Sequence, residues 1–250
     1  MTKALILLAG KGSRLKSYTK KNHKALLKIN KYSFLDFQLK IFKKNRVSDI
    51  TLLLGHQQKL FNQFHLKKII NFNYKSTNMV YTLFLAKEII KKCKEDLIIS
   101  YGDIIYSSKV LSKLLNTDSN YNIIIDKQWK KLWKKRFQNI YEDAETCVIK
   151  NNKIIEIGKK STDIDKFKGQ YIGLIKIKKN SLKEFNRLLL NFSRRKNFKR
   201  SYMTDFLTYM INNKIKLSPV YINQEWLELD TDYDFKLYKN KKKYNKLELI

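Results

Sequence analysis

Proline is nearly absent from this chain: one residue in 250, against seven glycines and two cysteines. The cysteines, Cys93 and Cys147, stand far apart in unrelated contexts, which excludes a disulfide framework and a thiolate metal cluster. Both read as reduced thiols. No apolar run approaches the roughly eighteen residues of a membrane span. Met1-Thr2-Lys3-Ala4 leads directly into an apolar stretch, without the layout of a secretory leader, so the expected compartment is the cytoplasm. The histidines, His23, His56 and His65, lack ligand spacing, and no nucleophile with a paired base is visible. Arginine is scarce too, although the net charge is +31. Such a charge ordinarily points to nucleic acid or an anionic surface. Nucleic-acid readers favour the planar fork of arginine, however, whereas the lysines here are spread over the whole chain. Residues with GC-rich codons are the missing ones while Lys, Asn and Ile abound, the signature of an AT-rich genome. A basic nucleic-acid-binding protein is therefore only an alternative reading.

What is present alternates. Ala4 to Leu8 and Ile50 to Leu54 are short apolar runs of buried-strand type, and so are Leu97 to Ser100 and Ile123 to Ile125. Between them Phe34 to Phe42, Met79 to Ile90 and Ser107 to Leu115 carry helical periodicity, and Gln57 to Leu66 reads as a polar helical piece. Strands alternating with helices predict a mainly parallel α/β sheet that binds ligands at strand C-terminal ends. Beyond Ile125 the pattern changes. Glu145 to Lys150 and Lys153 to Ile157 flank Asn151-Asn152 as a hairpin, and Tyr171 to Ile177 is a further strand. Helices at Leu182 to Phe192 and Met203 to Ile211 precede a strand at Leu217 to Tyr221. Arg194 to Arg200 reads as an exposed basic loop and Asn240 to Lys246 as a solvated tail end. No linker divides the chain, so residues 1–250 are expected to form one domain.

The apolar run at Leu8 breaks into Ala9-Gly10-Lys11-Gly12-Ser13-Arg14, with Lys24 ten residues on. Small residues here let backbone approach a ligand closely, and exposed N–H groups in such a turn make a nest for phosphate. Arg14 and Lys24 add positive charge. The pattern is neither a dinucleotide fingerprint, since Leu15 stands where a small residue is needed, nor a Walker loop. Past the strand at Leu97 to Ser100 come Gly102 and Asp103, and past the last strand come Glu228 and Asp230. Carboxylates from two strands facing a cationic phosphate loop make chemical sense around a bridging Mg²⁺ ion. Taken singly, Asp103 is equally well a turn residue and Asp230 a helix cap.

The loop resembles the nucleotidyltransferase signature L-A-G-G-x-G-x-R-L followed by P-K-x-L, with Lys11, Ser17 and His23 departing from it. Asn73 to Leu83 is similar to an N-x-Y-x-x-T-N-M-V-x-S/T-L segment of small cytidylyltransferases that act on phosphocholine, 2-aminoethylphosphonate or phosphorylated glutamine. Phrases at Trp129 to Phe137, Asp143 to Thr146, Gly169 to Leu174 and Met203 to Leu207 extend the resemblance over nearly the whole chain. It implies a three-layer α/β/α, Rossmann-like fold with a mainly parallel mixed sheet and a small β excursion near the acceptor. It also implies transfer of CMP from CTP to a phosphate- or phosphonate-bearing small molecule, with release of pyrophosphate. Leu8 to Arg14, Thr77, Asn78 and Gly102 would then meet the nucleotide, and Asp103 and Asp230 would hold Mg²⁺. Lys24, Arg14 and Asp103 would carry the catalysis, with Lys24 also reaching the acceptor.

Physical readings of the remaining candidates stay open. Thr77 and Asn78 either hydrogen-bond the nucleoside or merely cap a helix. Trp129 and Trp133 either wall the acceptor, holding an ammonium by cation–π attraction with Asp126, Glu145 or Glu228 as counter-charge, or pack in the core. Arg136 pairs either with acceptor phosphate or with a neighbouring acid. A sugar-1-phosphate nucleotidyltransferase using UTP or dTTP is the enzymatic alternative. The acceptor and the oligomeric state, monomer or homodimer, stay undetermined.

Overall fold

The computed structural model describes residues 2–239. The basic run Asn240 to Lys246 lies outside them. The apolar runs do become strands: β1 (Thr2–Leu8) is followed by the short pair β2 (Lys28–Ile29) and β3 (Tyr32–Ser33), then β4 (Asp49–Leu54) and β5 (Lys67–Ile70). After β6 (Asp96–Tyr101) come β7 (Ile104–Tyr106), β8 (Tyr121–Asp126), the hairpin β9 (Cys147–Lys150) with β10 (Lys153–Ile157), and β11 (Gln170–Ile177). β12 (Ser218–Ile222) and β13 (Trp226–Glu228) close the set. Seven of these form one sheet in the order β12-β8-β11-β6-β1-β4-β5, with β11 alone antiparallel to its neighbours.

Alternation along β1 sorts the core into two layers. Ala4, Ile6 and Leu8 face one apolar cluster and Leu5 and Leu7 the other, as a strand period of two requires. Helices α1 (Phe34–Lys44), α4 (Ser108–Leu115), α5 (Trp129–Arg136) and α8 (Asp232–Lys239) cover the first face. Helices α2 (Met79–Phe84), α3 (Lys87–Lys92), α6 (Leu182–Phe192) and α7 (Met203–Asn212) cover the second. The arrangement is the three-layer mixed α/β sheet that the sequence implied.

Four local expectations change. Met79 to Ile90 is two helices, because at buried Ala86 the N–H bonds back three residues to Leu83 at 2.9 Å and tightens the turn. Gln57 to Leu66 holds only a 3₁₀ turn, Gln58–Phe61, entered through Gln57 at φ 50°. Edge strand β5 escapes the pattern because K-K-I-I shows no alternation, and its lysines blunt an exposed edge. The basic loop is pinned at buried Phe198. The hairpin, by contrast, turns at Asn151 and Asn152 with φ of 48° and 54°, the left-handed pair that a tight two-residue turn needs.

Two positions yield stability predictions. Gly173 lies within the register shift of β11 at φ 87°, where an added Cβ would stand 2.4 Å from the Tyr101 ring. Gly173→Ala therefore costs about 2–4 kcal/mol in urea unfolding, from left-handed strain plus overpacking. His23 is buried, caps the 3₁₀ turn Lys24–Leu26 by accepting from Ala25 N–H at Nδ1 (3.1 Å), and meets Phe61 edge-on at 4.9 Å. Burial first, then the charge of Lys24, lowers its pKa from 6.5 to about 3. Between those values the unfolded chain takes up a proton that the folded chain refuses, so this contribution is complete above pH 6.5 and is lost as pH falls towards 3. The wild type should lose up to about 1.4 kcal/mol per pH unit more than His23→Asn, which keeps a capping acceptor, when unfolding is followed from pH 6 to pH 4.

Candidate active site

The C-terminal ends of β1 and β6 lie side by side, and the site is built where both strands stop. β1 runs into Ala9 and the exposed backbone of Gly10 and Lys11, and Gly12 turns left-handed at φ 63° before the 3₁₀ stretch Ser13–Thr19. Thr19 Oγ1 donates to the Gly12 carbonyl at 3.0 Å, and His56 N–H donates to the Ala9 carbonyl at 3.1 Å, so both ends of the loop are fixed. Leu8 is a core residue beneath it. Ser13 and Arg14 are exposed on its outer side.

β6 gives way to Gly102, whose N–H donates to the Leu7 carbonyl at 3.0 Å. A Cβ there would stand 2.2 Å from Leu8 Cδ2 and 2.7 Å from the Leu7 carbonyl oxygen, so only glycine lets the two strand ends meet. The turn is also gripped from below. Buried Gln38 of α1 donates to the carbonyls of Tyr101 (2.8 Å) and Ile104 (2.6 Å) and accepts from Ser100 Oγ (3.1 Å). Asp103, between those carbonyls, is 5% exposed and its Oδ1 is buried without a partner.

The second acidic segment arrives by strand pairing. β13 pairs antiparallel with β7, aligning Glu228 with Ile104, and Leu229 N–H donates to the Asp103 carbonyl at 2.9 Å. Carboxylate oxygens of Asp103, Glu228 and Asp230 consequently lie within 4.8 Å of one another. The Lys24 ammonium bonds to Asp103 and lies 3.8 Å from Asp230. Burial works against that ammonium, but Asp103 and Asp230 outweigh it and hold its pKa above the usual lysine value. Arg14 pairs with Asp230 at 3.1 Å and with Asp143 at 3.7 Å. Burial, and then the neighbouring charge of Asp230, push the Glu228 carboxyl up to about 8 against the opposing pull of Arg136. Three oxygen-donor acids, one with an orphaned oxygen, are the donor set that suits a hard divalent cation.

Several sequence-predicted acceptor residues stand elsewhere. Trp129 and Trp133 are each 1% exposed, stacked edge-on at 5.8 Å in the core beneath α5, and offer no open face to a ligand. The cation over the Trp133 ring is the chain's own Arg136, at 5.0 Å. The side chain of Arg136 is fully buried and bonds to Glu228 at 2.8 Å and to Asp234 at 2.9 and 3.0 Å, the neighbouring-acid pairing of the two that the sequence left open. Glu228 belongs to the carboxylate trio rather than to a separate acceptor group. Glu145 is partly buried and lies outside the trio; burial raises its pKa, with Lys160 opposing and Asp143 adding. It acts electrostatically on Tyr101 and Tyr171, an edge-on pair at 5.7 Å.

Thr77 and Asn78 are engaged locally. Thr77 Oγ1 accepts from Asn71 Nδ2 at 3.0 Å and donates to the Asn73 carbonyl at 2.9 Å, while Asn78 Oδ1 caps α2 through Met79 N–H at 2.8 Å. Sequence reading gave no site role to Gln38, Asp143 or Asp234. A glutamine on the apolar face of α1 was the available sign of the first. The i, i+2 spacing of Glu228 and Asp230, which puts both on one side of extended chain, marked the trio.

Comparison with known proteins agrees with this geometry. Residues 4–151 match the model of the MobA-like NTP transferase domain. The CTP:phosphoglutamine cytidylyltransferase of Campylobacter jejuni is 38% identical over 240 residues, spanning 91% of this chain and 95% of that protein. Among solved structures, the inositol-1-phosphate CTP transferase from T. maritima superposes with a TM-score of 0.74 at 18% identity, covering 98% of this chain and 97% of that one. The CTP:phosphocholine cytidylyltransferase from Streptococcus pneumoniae superposes with a TM-score of 0.73 at 17% identity, covering 95% and 97%. At those identities the superpositions speak for the fold alone. With a loop, a lysine and a carboxylate trio at the ends of its central strands, and with this family match over more than half its length, the chain belongs to the MobA-like NTP transferase family.

Proposed function

We propose that the chain is a Mg²⁺-dependent cytidylyltransferase that moves CMP from CTP to a phosphorylated amino-acid-like acceptor of the phosphoglutamine type, releasing pyrophosphate. The observation that carries this reading is the meeting of Lys24, Arg14 and three carboxylates beside the glycine loop, in a chain 38% identical to a CTP:phosphoglutamine cytidylyltransferase. The burial of Trp129 and Trp133 supports an acceptor of that type over one whose quaternary ammonium needs an open indole face.

The roles follow from position and charge. The loop from Leu8 to Ser13 cradles the triphosphate with its backbone, and Arg14, 58% exposed at its side chain, exchanges Asp230 and Asp143 for the departing pyrophosphate. Thr77 and Asn78, fixed at the start of α2, border the nucleoside. Asp103, Glu228 and Asp230 would hold Mg²⁺, which when bound supplies positive charge at the α-phosphate. Lys24 draws the acceptor phosphate towards the nucleotide once phosphate oxygens compete with Asp103 for its ammonium. An oxygen of the acceptor phosphate attacks the α-phosphorus in line, a new P–O bond forms, and the bond to the β-phosphate breaks. Glu145 would receive the acceptor's ammonium. We infer one catalytic domain, working in the cytoplasm where CTP is available.

Pyrophosphate release should require CTP, Mg²⁺ and phosphoglutamine together, and should fall about 10²- to 10³-fold in Lys24→Ala and in Asp103→Asn. Turnover with UTP and glucose 1-phosphate instead, or near-full turnover in either variant, would overturn the reading. Trp129→Phe should lower stability by about 1–3 kcal/mol through lost core packing, while the acceptor KM stays within about twofold.

A further inference from the structure

We propose that Arg136 is a positioning residue for the carboxylate trio: its buried guanidinium sets the directions in which Glu228 and Asp230 face Asp103, and so sets the affinity of the site for a divalent cation. The inference rests on the reading above that the trio holds such a cation.

Arg136 closes α5 and has no solvent-exposed side-chain surface. Its guanidinium carbon packs 5.0 Å from the centroids of the Trp133 and Phe137 rings, which cover it from the α5 side. A guanidinium presents its donors as a rigid fork, and here the fork is divided. Nε and Nη2 take the two oxygens of Asp234 at 2.9 and 3.0 Å, and Nη1 takes Glu228 Oε2 at 2.8 Å. With Oε2 engaged, the other Glu228 oxygen is the one left for a cation.

The same fork reaches Asp230 through the backbone. Asp234 Oδ2, held by Nη2, also accepts from the N–H groups of Asp230 (3.1 Å) and Thr231 (2.9 Å). One carboxylate oxygen therefore ties the guanidinium to the peptide that carries Asp230, and Nη2 itself lies 3.9 Å from Asp230 Oδ2. Two of the three acids are oriented by one side chain that stands behind them. A residue present only to neutralise buried acid would need its charge and not its fork. A lysine supplies the charge as a single point and cannot bridge Asp234 and Glu228 in these directions.

The test is Mn²⁺ binding to the full chain, followed by electron paramagnetic resonance with and without CTP, on wild type and Arg136→Lys. Circular dichroism checks folding. Arg136→Lys should bind Mn²⁺ about 10- to 100-fold more weakly, the usual cost of losing a partner that orients a metal ligand. Its apparent Mg²⁺ requirement in pyrophosphate release should rise correspondingly, while the KM for CTP at saturating Mg²⁺ stays within about twofold. If Arg136→Lys does not fold, Arg136→Met/Asp234→Asn, which leaves neither of that pair charged and keeps a capping acceptor at 234, should show the same weakened Mn²⁺ binding. A folded variant with wild-type Mn²⁺ affinity overturns the proposal while leaving the cytidylyltransferase reading intact. Wild-type protein that binds no Mn²⁺ even with CTP overturns the cation reading, and this inference with it.

Discussion

Mutual repulsion of three carboxylates is the constraint around which this molecule is arranged. Asp103, Glu228 and Asp230 converge within 4.8 Å, and the raised pKa of Glu228 is the direct mark of burial and of Asp230's like charge. No single element supplies the compensation. Lys24 comes from the turn after the glycine loop, Arg14 from the loop itself and Arg136 from α5 on the flank of the sheet. Each cation comes from a different element, so three positive charges meet the three acids.

That arrangement makes demands on the backbone. The ends of β1 and β6 have to meet closely for the loop and Asp103 to face each other, and Gly102 alone permits it. The acids at 228 and 230 have to be carried back from the end of the chain, which the β13–β7 pairing does. Gln38 then satisfies the carbonyls that this turn leaves behind, since a buried carbonyl without a donor would cost about 1–3 kcal/mol. The net charge of +31 belongs to the periphery rather than to this centre, where Lys24, Arg14 and Arg136 face the three acids together with Asp143 and Asp234.

The fold was legible where periodicity and loop chemistry decide it. Ala4 to Leu8, the glycine loop, Asp103 at the end of a central strand and the Asn151-Asn152 turn all carry local signals, and each stands where those signals put it. What periodicity reports is which face a residue uses, and it is silent about the partner across that face. Trp129 and Trp133, spaced for one side of a helix, are equally suited to a pocket wall or a core; the ring contacts to Trp226, Tyr141 and Phe167 put them in the core. Arg136 was ambiguous for the same reason, because its partners lie 92 and 98 residues further along the chain. Edge strand β5 and the antiparallel direction of β11 likewise depend on neighbours that no local pattern names.

With the indoles committed to packing and Arg136 to acid, the polar surface beside the trio narrows to few groups. Asp126 is spent as well, accepting from Trp226 Nε1 at 2.9 Å and from the N–H groups of Gln128 and Gln224. Of the candidate counter-charges Glu145 is left, and the field of Asp103 reaches Tyr101 together with that of Glu145. A half-buried carboxylate with two phenols at its side favours a small, hydrogen-bonding cation over a bulky, fully alkylated one, because the latter offers no N–H to replace the water such a carboxylate gives up. On the proposed reading, discrimination between acceptors would rest on desolvation at Glu145 rather than on aromatic surface, and the helix that bears the tryptophans would serve the reaction from behind, by holding Arg136 in place.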